Sequence, residues 1–425
     1  MTDEPQPLKK LKILVVSQYF WPENMRINNM VEGFVKKGHD VTVLTGIPNY
    51  PEGKIFEAYL EAPEQYVNYL GARVVRIPML LRGYNSVSLA LNYFSFFLSA
   101  SIVGSYKLRN QQFDSIFVYA VSPIIAAIPA LIIGKLKKVP VFIWVLDLWP
   151  ETLSAVGVIK NKLALALVGK VVSWIYNHAD YLLLQSKSFD DNVKKYCTKD
   201  IAPQRVVYFP SWAEDDFIGC SENPCDLLTR DEAVFTIVFA GNIGDAQDFP
   251  TIIDAVEIIA SELPVRWVIV GDGRASAWLH EQVKVRGLAN KVLLLGRHPL
   301  EKMPALFDLA DALFVSLKTN EVFEKTIPGK VQAYLASGKP IIAMIDGEAA
   351  RVIKESGAGL VCKSGDARAL AAIVRSMASL KPQEKMNMGS SAKRYYLNNF
   401  SKDNLFNRLE VLFRSASLRR NNKSE

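Results

Sequence analysis

Cysteine and histidine are scarce, with four of each in 425 residues. Cys197, Cys220, Cys225 and Cys362 form no Cys-x-x-Cys pair, which excludes a disulfide scaffold and fits reduced thiols in a cytosolic protein. His178, His280 and His298 have no partners at metal or triad spacing, and His39 reads as a turn residue ahead of a strand. Charged residues make up only 22% against 50% hydrophobic, which excludes a disordered chain. The first ten residues contain no apolar core, so no signal peptide is expected. No Asp-x-Asp triplet occurs. At roughly 100–200 residues per domain, the length suggests two or three domains.

The net charge of +7 is uneven. Residues 1–210 hold 23 Lys+Arg against 16 Asp+Glu, while 211–425 hold 27 of each. The excess is too small for a nucleic-acid binder and lacks a basic-aromatic motif. It suits a surface facing anionic lipid or a phosphorylated partner, although ordinary variation would also produce it.

Two uncharged stretches are tested as membrane spans. Residues 83–106 are long enough to cross a bilayer, but Asn85, Asn92 and six serines make a poor span. A buried helix, or one dipping into the interface, fits better. Residues 115–134 are broken by Pro123 and Pro129 and read as a buried strand followed by a helix.

Short, continuous apolar runs recur at 12–17, 41–45, 74–78, 116–119, 141–145, 181–185 and 206–208. They recur again at 235–240, 267–270, 292–295, 312–316, 340–343 and 359–361. Such runs mark strands buried on both faces of a parallel sheet, and helical stretches lie between them. The fold class is therefore α/β, with two Rossmann-like doubly wound domains and a cleft between them. Their expected extents are 1–210 and 211–397. A terminal helix at about 398–414 is expected to return to the first domain, ahead of a polar tail at 415–425.

Glycine-rich turns follow two strands of the second half, in Gly241-Asn-Ile-Gly244 and Gly271-Asp-Gly273. Each alone signals only a tight turn. Pro328-Gly-Lys330 opens a helix, where terminal amides and a lysine suit a diphosphate. Asp147 ends a strand and Glu151 follows it by four, so a helical turn after Pro150 would let both carboxylates serve as base or substrate contacts. Asp147 equally suits a helix cap. Arg26, in the first loop, could reach a phosphate or remain solvated.

Together these turns, with Tyr334-Leu-Ala-Ser-Gly-Lys-Pro340, Ser356-Gly-Ala-Gly-Leu360 and Gly365-Asp366, resemble the nucleotide-sugar domain of retaining GT-B glycosyltransferases of family four. Lys12-Ile-Leu-Val-Val-Ser-Gln-Tyr-Phe-Trp-Pro-Glu23, Asn49-Tyr-Pro51 and Asp147-Leu-Trp-Pro-Glu151 resemble a subgroup that includes N-acetyl-L-fucosamine transferases of bacterial O-antigen and capsule assembly. The resemblance implies a UDP-sugar donor, no cofactor, no metal and a polyprenyl-diphosphate-linked saccharide acceptor. It also implies that Gly241, Asn242, Gly244, Pro328, Gly329 and Lys330 face the donor phosphates. Gly271 and Gly273 would shape the nucleotide side, and Arg297 would lie near the base. Family members often carry two glutamates where this chain has Lys325 and Ala333, so Glu324 takes the expected ribose contact. A histidine common before the aspartate is Leu146 here.

Two rival functions share the architecture. One is a UDP-sugar 2-epimerase, and the other is a weakly catalytic nucleotide-sugar binding protein. The basic clusters Lys9, Lys10, Lys12 and Lys135, Lys137, Lys138, with the apolar stretch 83–106, place the expected enzyme on the cytoplasmic face of the inner membrane.

Overall fold

Every expected apolar run forms a strand in the computed structural model, which describes residues 9–155, 157–198, 203–219 and 224–421. The chain divides into two units. The first takes the chain up to Gln185, Phe189–Phe209 and everything from Leu405 onward; the second takes Ser186–Ser188 and Pro210–Asn404.

The first unit holds β1 (Lys12–Val16), β2 (Asp40–Gly46), β3 (Asn68–Tyr69), β4 (Ala72–Ile77), β5 (Ser115–Ala120), β6 (Val141–Val145), β7 (Tyr181–Leu184) and β8 (Val206–Tyr208). Their order is β3-β4-β2-β1-β5-β6-β7-β8, and every pair is parallel except β3 with β4. Order reversal beside β1 puts the switch point between β1 and β5, where doubly wound sheets bind ligands beyond the carboxyl ends. The central strands are buried throughout, as continuous Val/Ile runs require.

The second unit holds β9 (Phe235–Ala240), β10 (Val265–Val270), β11 (Val292–Gly296), β12 (Ala312–Ser316), β13 (Ile341–Met344) and β14 (Gly359–Cys362). Their order is β11-β10-β9-β12-β13-β14, wholly parallel, with the switch point beside β9. Cores on both faces of this sheet are closed by the helices Phe249–Ile259, Gly329–Ser337 and Ala367–Ser379, among others.

Two expectations are corrected. The tail expected at 415–425 begins inside a helix, Lys402–Asn421. The helix persists because Ala416 is buried, Arg414 pairs with Glu410, and Arg420 reaches Asp180. The polarity that suggests fraying belongs to side chains with distant partners. Residues 422–425 lie outside the described ones. Phe406 and Phe413 of this helix pack on Phe34, and Phe413 also meets Phe142 edge-on.

The second correction concerns only one of the two readings of 83–106, the buried helix. Ser86–Lys107 is one helical run with a π turn at Ala100–Gly104, started by Asn85, whose side chain accepts from the Ser88 amide. Only 22% of its most apolar window is buried, so it is not a core helix. Cys197 and Cys225 are half-buried free thiols and Cys362 is buried; Cys220 lies outside the described residues.

Candidate active site

The glycine turns of the second unit interlock. The Gly241 amide donates to the Val270 carbonyl at 2.8 Å, and the Ile243 amide donates to Asp272 at 2.9 Å. A β-carbon on Gly271 would collide with the Gly241 carbonyl, and one on Gly273 with that of Ile243. Gly241 and Gly271 also sit at φ +143° and +142°, which L side chains rarely adopt. These glycines are therefore required by close backbone approach, beyond the ordinary needs of a turn.

Lys330 reaches into this cradle from the helix Gly329–Ser337. A β-carbon on Gly241 would collide with its stem. Its Nζ lies 3.7 Å from the centroid of the Phe239 ring and donates to Gln247 Oε1 at 3.0 Å. Burial pushes its pKa down to about 7. Pro328 caps the helix with extended geometry and no side-chain bond, and a β-carbon on Gly329 would meet open space. The first turn thus has no side-chain cap for its amides and carries a lysine amine, an arrangement suited to an anion. The Tyr334 hydroxyl accepts from the Ala240 amide at 3.2 Å and anchors the helix to β9.

The sequence had named Gly241, Asn242, Gly244, Gly271, Gly273, Pro328, Gly329 and Lys330, and the fold brings them together. Arg297 is exposed in the loop after β11, and its charge adds to the Ser276 hydroxyl and Gly273 amide that chiefly lower the Asp272 carboxyl. Glu324 sits in the short turn Phe323–Lys325, its carbonyl so close to Gly347 that a β-carbon there would clash. Ala333 is buried. Phe239 and Gln247 were missed. Only the position of Phe239 beside Gly241 signalled it, and Gln247 carried no signal.

In the first unit, Asp147 accepts from the Ser122 hydroxyl at 2.7 Å and amide at 3.2 Å. The Trp149 indole donates to the same hydroxyl at 3.1 Å. The carboxylate thus pins the loop after β5 and forms no helix-cap bond. Tyr119, pushed up to about 12 by burial, senses both Arg26 and Asp147, which sets these groups at one end of the sheet. Arg26 is the first residue of the helix Arg26–Lys36. Glu151 has partners of its own, although the buried Tyr176 senses both it and Asp147. Its Oε1 accepts from the Tyr196 hydroxyl at 2.9 Å and lies 3.5 Å from the Lys195 ammonium.

Glu23 was also missed. It is 2% exposed and accepts from the amides of Phe20, Asn49 and Tyr50, each at 2.8 Å. Burial raises its pKa while these amides and the Arg76 charge oppose the rise. Two fragments read separately in the sequence, around Trp21-Pro22-Glu23 and Asn49-Tyr50-Pro51, are thereby one hydrogen-bonded unit.

The family model described as Glycosyl transferase 4-like domain matches residues 24–212, and that described as Glycosyl transferases group 1 matches 234–379. An Escherichia coli K12 protein named as a colanic acid biosynthesis glycosyl transferase, WcaI, is 26% identical over 346 residues, covering 77% of this chain and 82% of the relative. The chain is a glycosyltransferase. The fold of this transferase is GT-B. The Anabaena protein HepE, solved in complex with UDP, superposes with TM-score 0.68 at 14% identity, over 96% of this chain and 100% of that one. Sucrose-phosphate synthase from Thermosynechococcus elongatus gives 0.69 at 14% identity, over 96% and 99%. WaaG, a glycosyltransferase of lipopolysaccharide biosynthesis, gives 0.62 at 13%, over 95% and 99%.

Proposed function

We propose that the transferase moves a sugar, N-acetyl-L-fucosamine or a related amino or deoxy sugar, from a UDP-sugar to a polyprenyl-diphosphate-linked saccharide in bacterial surface polysaccharide synthesis, with retention of configuration. The observation that carries this reading is Lys330 beside the uncapped amides of Gly329–Ser337. Departure of UDP builds negative charge on the β-phosphate, and a preorganised cation with oriented amides stabilises that charge most as it forms. That chemistry needs no divalent ion, so transfer is expected to survive chelation. As the sugar–phosphate bond breaks, the acceptor oxygen bonds to the anomeric carbon on the same face and its proton passes to the departing phosphate. Asp147 and Arg26 orient the acceptor.

Support for the polysaccharide setting comes from the relative named for colanic acid biosynthesis, and for UDP from the complex of HepE. Membrane residence is part of the same reading. Ser86–Lys107 exposes Val87, Leu91, Phe94, Leu98, Ile102 and Tyr106 along one stripe, and Lys162–His178 exposes Leu163, Leu167, Val171 and Trp174. Residues 83–113 and 157–179 contain no Asp or Glu, while Lys107, Arg109, Lys160, Lys162 and Lys170 supply cations. Apolar stripes on segments that carry cations and no carboxylate match an anionic leaflet.

The test is a thermal-shift screen of UDP-, GDP- and dTDP-sugars, followed by transfer to a lipid-linked acceptor with and without chelator. Stabilisation by a UDP-sugar and product carrying the retained linkage support the proposal. Conversion of UDP-sugar without acceptor favours epimerisation, and binding without product favours a non-catalytic role.

A further inference from the structure

A cavity lined mainly by cationic side chains lies at the opposite end of the first sheet. Lys12 opens β1, Asp114 immediately precedes β5, and Pro140 immediately precedes β6. Here a cavity of about 360 Å³ is bounded by Lys9, Lys10, Lys12, Lys137, Lys138 and Arg420. Arg26 and Asp147 lie beyond the carboxyl ends of the same strands. At about 3.3 Å per residue, a five-residue strand alone separates the two ends by roughly 17 Å.

The cavity gathers two basic clusters that are more than 120 residues apart in the chain. The attraction of lysines to a helix carboxyl end accounts for Lys137 and Lys138. It does not account for Lys9, Lys10 and Lys12, which arrive on another segment. One carboxylate, Asp114, lines the cavity, and its Oδ2 already accepts from the Lys12 amide at 2.7 Å. Two further groups are fixed in place. Lys137 donates to the Gln111 carbonyl at 2.7 Å and the Arg109 carbonyl at 3.1 Å above the buried ring of Phe113, and burial lowers its pKa. Arg420 is held by Asp180 at 2.7 Å. Lys138 occupies φ +56°, a left-handed helix-end position that glycine takes without strain. With Arg420 already paired with Asp180, the excess charge rests on the five lysines around Asp114, whose mutual repulsion an entering anion would relieve, and lysines favour phosphate oxygens as point charges.

We propose that this cavity is a binding site for a multiply charged phosphate, either a soluble polyphosphate or the headgroup of an anionic phospholipid, separate from the sugar-donor site. Tripolyphosphate is the soluble probe, titrated by calorimetry at constant ionic strength. A Lys330→Ala background removes the donor-site cation from the comparison. In that background, Lys10→Ala/Lys12→Ala is expected to weaken binding at least tenfold. Lys138→Gly is expected to weaken it severalfold while raising the melting temperature by about 2 °C, because left-handed strain is relieved. That pairing separates lost binding from lost folding. Lys284→Ala/Lys363→Ala, in the second unit, is the control for overall charge. Unchanged affinity in the cavity variants, or equal weakening by the control, would overturn the site. Vesicles of phosphatidylcholine with and without phosphatidylglycerol identify the source. If the cavity variants lose vesicle binding in proportion to tripolyphosphate, the site reads a headgroup. If vesicle binding persists while tripolyphosphate binding falls, it reads a soluble phosphate.

Discussion

Lys330 shows how far one residue departs from its textual appearance. In the sequence it is a lysine after Pro-Gly. In the fold its amine lies over Phe239 and its pKa falls to about 7. The free folded protein therefore binds fewer protons than the unfolded chain between about pH 7 and 10.5. This residue costs stability below pH 7, and the cost is relieved as pH rises through that window. Donor binding has the opposite trend, because the diphosphate needs the charged amine. With binding confined to the charged form, donor affinity should fall roughly 50-fold from pH 7 to 9. Lys330→Arg should flatten that profile, since guanidinium stays charged. Titration calorimetry with a UDP-sugar across this range checks both slopes. Glu23 is the structural counterpart. Glu23→Ala leaves two buried amides and one partly buried amide without an acceptor and is expected to cost about 1–3 kcal/mol, measured by urea unfolding.

Among the elements, the strands were legible because burial on both faces writes itself as uninterrupted Val, Ile and Leu. The two-residue β3 was not, since it is too short to carry a period. The end of Lys402–Asn421 was misread because its polar residues pair with Glu410 and Asp180, and no local pattern reports such partners. The glycine motifs were legible as turns, but their interlocking depends on contacts across the sheet. Gln247 and Glu23 were invisible for the same reason. Composition identified Ser86–Lys107 as apolar but could not say which side was buried. Its stripe and that of Lys162–His178 now give a prediction. Phe94→Glu or Leu167→Glu should each reduce co-sedimentation with anionic vesicles at least severalfold without lowering the melting temperature, since both side chains are exposed. Retained vesicle binding in both variants would remove the two helices from the membrane account.

For the whole molecule, the uneven charge acquires a location. The surplus of the first 210 residues gathers in part around the cavity at the amino ends of the first sheet and in part beside the exposed apolar helices. The neutral second half concentrates its functional cation at one place, Lys330, among glycines whose backbone conformation serves that amine. The central claim is that Lys330 stabilises the departing diphosphate. Single-turnover transfer from a UDP-sugar to a lipid-linked acceptor, comparing wild type with Lys330→Ala, tests it most directly. A loss of about 10²–10³-fold in the transfer rate at saturating donor, with the melting temperature unchanged or raised, is the predicted result. Transfer at the wild-type rate by Lys330→Ala would contradict it.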